Sequence, residues 1–213
     1  MSRYIHYTIT QKNESVWIAQ RNGRTKDGND ATDQGIIKMF CMNNKQNFSH
    51  SLAELNIVPI AISYQWEPCD LFKTRELYLS LGGTKYVKQK NEDLTSILTG
   101  ISQQKGNVHL SLCKPIEKEE YSVFANETPN KFFHRIAQLI DQKIFDAYKL
   151  WDTNYIAYDI KFGVQKYTAC YNHEEKEKFL IRCEDVLSKI DGDRDVLRDI
   201  FLGIYANPVG KKV

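Results

Sequence analysis

Three short runs constrain the first half of the chain: SVWIAQ (residues 15–20), NIVPIAISY (residues 56–64) and NVHLSL (residues 107–112). Each is rich in β-branched and aromatic residues and is bounded by loop-forming ones, the pattern of a strand. The second barely alternates, so it is expected to be buried on both faces. Between the runs the period becomes helical. Ile36, Ile37, Phe40 and Cys41 share a face behind Thr32 or Asp33, either of which can cap a first turn. Leu94, Ile97, Leu98 and Ile101 make a second stripe. Strands separated by helices predict an α/β fold with a partial, mainly parallel sheet and flanking helices.

After CKPIEKEEYS (residues 113–122) only helical patterns remain, which predicts an all-helical C-terminal region. Thr128 as cap and Pro129 at the first helical position open a long stripe of Phe132, Ile136, Leu139, Ile140, Ile144 and Tyr148. Phe179, Leu180, Cys183, Val186, Leu187 and Ile190 form another, ended by Gly192. A last stripe runs from Val196 through Phe201 to Tyr205, with Asn207 and Pro208 as its expected stop.

A chain of 213 residues buries about 70% of its unfolded surface, enough for one large domain or one domain with an extension. Its net charge of +2 is too small to call for a nucleic-acid partner. Residues 73–90 are locally basic, with Lys73, Arg75, Lys85, Lys88 and Lys90 against Glu76, and read either as a solvated face or as one turned to an anionic surface. The five cysteines are scattered and form no CxxC, which reads as reduced thiols in a cytoplasmic protein. Cys170 and His173 have no second ligand pair at zinc spacing, so no metal site is expected. No apolar run approaches the ~20 residues that span a bilayer. GxSxG and a Gly-Lys-Ser/Thr phosphate loop are both missing, which leaves no hydrolase or nucleotide-binding signature.

The most specific local feature is the break after SVWIAQ. A loop leaving the carboxyl end of a parallel strand lies where open α/β sheets hold ligands. This one carries Arg21, Arg24 and Lys26, with Gly23 and Gly28 allowing close approach of backbone amides. Arg suits forked contacts to phosphate and Lys adds a compact charge, so the loop reads as an anion site. A solvated loop whose cations pair with Asp27, Asp30 and Asp33 fits the same residues equally well.

QRNGRTKDG (residues 20–28), followed by LNIVPIAISY (residues 55–64), resembles the third and fourth motif blocks of the glycerolipid acyltransferases of lysophosphatidate type. ISYQWEPCDLFKTREL, YKLWDTNYIAYD and the terminal IYANPVGKK resemble a bacterial branch of that family, so the likeness extends over nearly the whole chain. It implies that residues 1–115 form the carboxyl-terminal half of an acyltransferase-like α/β domain, with residues 116–213 a helical extension packed on it. It implies acyl transfer in phospholipid biosynthesis, from a thioester of coenzyme A or acyl carrier protein to a phosphorylated glycerol lipid, with no cofactor. By the same resemblance Arg24, Lys26, Gly23 and Arg21 bind the acceptor phosphate, while Pro59 and Asn22 shape the substrate site. Peripheral contact with the inner face of the cell membrane, and self-association through an open sheet edge, are further expectations.

Two departures bear on activity. Asn22 and Arg21 stand where the family places a glutamate beside the glycine. The family's catalytic histidine and aspartate, separated by four residues, have no counterpart: His6, His50, His109, His134 and His173 are matched at that spacing by Gln11, Leu55, Lys114, Leu139 and Lys178. No catalytic residue is therefore assigned. The resemblance implies an inactive portion of an acyltransferase, the alternative being a non-catalytic module that keeps the phosphate loop to bind a lipid headgroup or a protein.

Overall fold

The structure, a computed structural model, describes residues 1–212 except Asn22, Arg24, Lys45, Thr84, Lys85, Lys88 and Gln89. In chain order its elements are α1 (Ser2–Thr10), α2 (Gln34–Cys41), α3 (Phe48–Ala53), β1 (Ile60–Tyr64), α4 (Asp70–Leu79), α5 (Glu92–Ser102), β2 (Val108–Leu112), α6 (Lys118–Ser122), α7 (Pro129–Ala147), α8 (Asp152–Phe162), α9 (His173–Leu187) and α10 (Arg194–Lys212). The chain is mixed but helix-rich, 58% helical, and its sheet is a single antiparallel pair of β1 and β2.

The expected mainly parallel sheet is not found among the described residues. Residues 15–20 form no strand: among the described residues their one backbone hydrogen bond is the Gln20 carbonyl accepting from the Asp33 amide at 3.0 Å. β1 is shorter than its apolar run and alternates, with Ala61 and Ser63 buried and Ile62 turned outward, so it is not covered on both faces. β2 likewise leaves Val108, Leu110 and Leu112 exposed.

The residues fall into two compact units drawn from both sides of residue 115. The first comprises Met1–Arg24, Asp30–Ala61 and Leu110–Tyr148; the second comprises Thr25–Asn29, Ile62–His109 and Lys149–Val213.

In the first unit, α7 follows its sequence signal closely. Thr128 is the N-cap residue, Pro129 the first helical residue, and Phe132, Phe133, Ile136, Ala137 and Ile140 make its buried face. That face meets Ile37, Phe40 and Cys41 of α2, whose cap is Asp33, accepting from the Gly35 amide at 2.7 Å. Phe48 lies against both Phe132 and Phe133, with ring centroids 5.8 and 5.0 Å apart. α1 contributes Ile5 and the buried His6, whose Nε2 is 2.9 Å from the Phe40 carbonyl oxygen. Apolar surroundings push the Cys41 thiol up to about 12.

In the second unit, α8, α9 and α10 pack around Ile156, Phe179, Leu187, Leu197 and Phe201, all fully buried. Around Asp70 the buried polar groups are paired, whereas the hydroxyls of Thr25, Thr74 and Tyr167 in the same unit are buried with no partner among the described residues. Asp70 is completely buried and receives a forked contact from Arg182 (Nη2 at 2.7 Å, Nε at 3.0 Å) and the Tyr205 hydroxyl at 2.9 Å. The Tyr205 hydroxyl in turn accepts from the Glu67 amide at 3.1 Å. Asn154 donates to the Tyr205 carbonyl at 2.8 Å and accepts from the Trp151 amide at 2.8 Å.

α10 does not stop at Asn207 and Pro208 but continues to Lys212 with the proline inside it. Proline lacks the N–H that would reach the Ile204 carbonyl, one turn back. That carbonyl faces Gly28 instead, so closely that a Cβ on Gly28 (φ +76°) would stand 2.4 Å from the oxygen. The Asp27 carbonyl accepts from the Asn207 side chain at 2.6 Å on the same seat. A tight glycine turn on one side and an asparagine on the other hold the helix through its proline.

Candidate functional site

The first unit holds a cavity of about 610 Å³. One wall is the segment 15–20, with Val16 and Ile18; another is the Ile57–Val58–Pro59 stretch before β1; helices supply Ile9, Ile36 and Ile144. The stretch before β1 is held from the far side, the Ile57 and Pro59 carbonyls each accepting at 3.0 Å from the amides of Ile116 and Cys113. The wall is mostly apolar, interrupted by Glu14, Ser15 and Asn56 and by a polar corner of Gln20 and Thr32. That corner is fixed by Asp141 of α7, whose Oδ1 accepts from the Thr32 amide (2.9 Å), the Thr32 hydroxyl (2.6 Å) and the Gln20 side-chain amide (2.8 Å). Here a carboxylate is saturated by neutral donors, which suits it to hold the start of the loop rather than to act as a base.

The segment feeding the loop has an unusual backbone. Val16, Trp17, Ile18 and Ala19 make no backbone hydrogen bond to any described residue, and none of the four lies in a helix or strand. Trp17 is 69% exposed. Bare backbone beside a mostly apolar cavity is open to occupation by another chain or a ligand.

Of the residues singled out in the sequence, Asn22 and Arg24 lie outside the described residues. Arg21 and Gly23 are exposed and belong to the first unit, Gly23 with a positive φ of 76°. Lys26 belongs to the second unit and is half-buried, its ammonium in an ion pair with Glu76 of α4. That partner differs from both sequence readings, which had Lys26 facing a phosphate or the loop's own aspartates. Pro59 is buried and lines the cavity opposite Val16 and Ile18. The segment that leads into the loop and the strand proline thus share one cavity, while of the loop block QRNGRTKDG only Gln20 lines it.

Sequence reasoning missed the helical side of this cavity. Ile36 and Ile144 were legible as stripe residues, but a stripe does not reveal whether its face meets protein or empty space. Asp141 gave no signal, since it stands singly among polar residues of a long helix.

No histidine is placed for general base work on the family's pattern. His6 is buried against the Phe40 carbonyl and, at 3.4 Å, the Ser51 hydroxyl. His50 and His173 are exposed beside Glu54 and Glu177, one helical turn on. Among the described residues no cluster of three His, Cys, Asp or Glu side chains is arranged to hold a metal, and no helix is long and apolar enough to cross a membrane. No family model, curated protein or solved structure matches this chain.

Proposed function

We propose that this chain is an acyltransferase-like lipid-binding protein that holds an acyl chain in the cavity of its first unit and does not itself catalyse transfer. One observation carries the reading: residues 15–20, which lead into the loop block that resembles the glycerolipid acyltransferases, and Pro59 of the second such block line the same mostly apolar cavity of about 610 Å³. That volume is within the roughly 300–1,000 Å³ of small-molecule sites. Each acyl methylene moved from water onto such a wall gains about 0.8 kcal/mol. The phosphate of a phosphorylated glycerol lipid is taken up, on the resemblance, by Arg21, Arg24 and the Gly23 amide. The sequence holds no His and Asp at the family's spacing, and a general base contributes typically ~10²–10⁴ in rate. The chain alone is accordingly a binder with no useful turnover.

Calorimetric titration with oleoyl lysophosphatidate tests this. Ile18→Trp, which places bulk in the cavity, should weaken binding at least tenfold, and Arg24→Ala should weaken lysophosphatidate but not oleate. Binding indifferent to Ile18→Trp would remove the cavity from the reading. Acyl transfer from a radiolabelled thioester, abolished by Arg24→Ala, would overturn the non-catalytic part.

A second reading is favoured by the bare backbone of Val16 to Ala19. An extended segment of a protein partner, or of a second copy, adds there as a strand and puts alternate side chains into the cavity. Competition between oleate and self-association separates the two.

A further inference from the structure

We infer that α5 of the second unit is a docking surface for an anionic lipid bilayer. The helix faces opposite to the usual arrangement. Its one buried residue is Ser96, while Leu94, Ile97, Leu98 and Ile101, which share the opposite face, are all exposed, Ile101 to 72%. The sequence predicts that stripe as a core face, and the structure turns it to solvent. Val87, just upstream, is 81% exposed and extends the apolar surface.

Charge decides what covers it. Residues 71–105 carry six cations (Lys73, Arg75, Lys85, Lys88, Lys90 and Lys105) against Glu76, Glu92 and Asp93, an excess larger than the +2 of the whole chain. Lys85 and Lys88 lie outside the described residues. Lys90 is exposed just before the helix, and Lys105 closes its other end, Nζ donating to the carbonyls of Ile101 and Gln103 at 3.0 Å each. Glu92 sits on the packed side, accepting from the Tyr86 hydroxyl at 2.7 Å. An aliphatic stripe with an ammonium at each end matches a bilayer boundary, where chains enter the acyl region and lysines meet anionic headgroups. The stripe carries no Trp, Tyr or Arg of the kind that anchors protein interfaces. The inference is independent of the cavity, which belongs to the first unit.

The test is sedimentation of the full chain with vesicles of phosphatidylcholine, with and without phosphatidylglycerol. Binding should need the anionic lipid and fall at least tenfold in Ile97→Ser/Ile101→Ser. It should fall about fivefold in Lys90→Glu. The serine positions are exposed, so helical circular dichroism should be unchanged; Leu94→Ser/Leu98→Ser is the second pair if it is not. Oleate binding should persist in all these variants, so loss of oleate binding alone removes the proposed function and leaves this inference standing. Equal sedimentation with neutral and anionic vesicles, or none with either, overturns it. So does concentration-dependent dimerisation by light scattering that the serine pair abolishes, since the stripe would then cover a second copy.

Discussion

The two units handle buried polarity and backbone in opposite ways. In the second, Asp70, Arg182, Tyr205, Asn154 and Trp151 form a closed set in which each buried group meets a partner of matching sign or donor type. In the first, a mostly apolar cavity of about 610 Å³ is lined by Val16 to Ala19, four residues with no backbone hydrogen bond to any described residue. The set around Asp70 leaves that carboxylate nothing further to bind, whereas backbone without a described partner and an apolar wall are both open binding capacity. The contrast is in how each interior is filled, by a paired polar set in one unit and by a cavity in the other.

Hydrogen exchange gives the largest expected difference. Amides of Val16 to Ala19 should exchange with opening free energies near zero, while those of Ile156 and Phe201 should approach the global stability, typically ~5–15 kcal/mol. Protection of Val16 to Ala19 at the level of Phe201 would mean that this segment is paired after all, and the contrast would collapse. Slowing of these amides by oleate, or by an added peptide, would sharpen it.

The next effect is in the closed network. Arg182→Met leaves the Asp70 carboxylate buried without its cation, and removing one partner of a buried pair costs about 3–5 kcal/mol. Restoring neutrality with Asp70→Asn in the same chain should recover most of that loss, because the penalty is the uncompensated charge rather than the absent contact. Urea unfolding followed by tryptophan fluorescence in a Trp17→Phe background reads this unit through Trp66 and Trp151, the two remaining tryptophans. A loss under about 1 kcal/mol would show that water reaches the pair, as it does at surface ion pairs.

What the sequence revealed follows the same division. Helices whose apolar stripe meets another helix were legible: Thr128 and Pro129 marked the start of α7, and Phe179, Cys183, Val186 and Leu187 the inner face of α9. α5 has an equally clear stripe, yet it faces solvent, because periodicity reports that a face is apolar and says nothing of what covers it. SVWIAQ has strong β character but is not a strand, since a strand needs a neighbour that local propensity cannot provide. Pro208 looked like a stop because the seat that rescues it, Gly28 and Asn207 with Asp27, joins residues 180 apart in the chain. The polar corner of the cavity, Asp141 with Thr32 and Gln20, is legible only once α7 and the loop are folded together.

The smallest effect concerns acid stability in the first unit. Glu120 accepts from Lys143 Nζ at 2.8 Å and from the Glu117 amide at 2.9 Å, closing the first turn of α6. The Lys143 contact is the main cause that holds its carboxyl below the ordinary 4.5, with partial burial opposing and the Glu117 amide assisting. The folded state therefore binds the proton less readily than the unfolded chain. The resulting stability is fully present above the ordinary carboxylate value and disappears as pH falls through the lowered folded value. Both side chains are partly exposed, 22% for Lys143 and 33% for Glu120, so solvent screens the pair and its contribution should stay below about 1 kcal/mol. Lys143→Met should leave urea stability within that margin at pH 6 and make the loss between pH 6 and pH 3 correspondingly shallower. The first unit would then owe its acid sensitivity to one surface pair and not to its cavity. A Lys143→Met protein that loses stability in acid as steeply as the parent would place that sensitivity elsewhere.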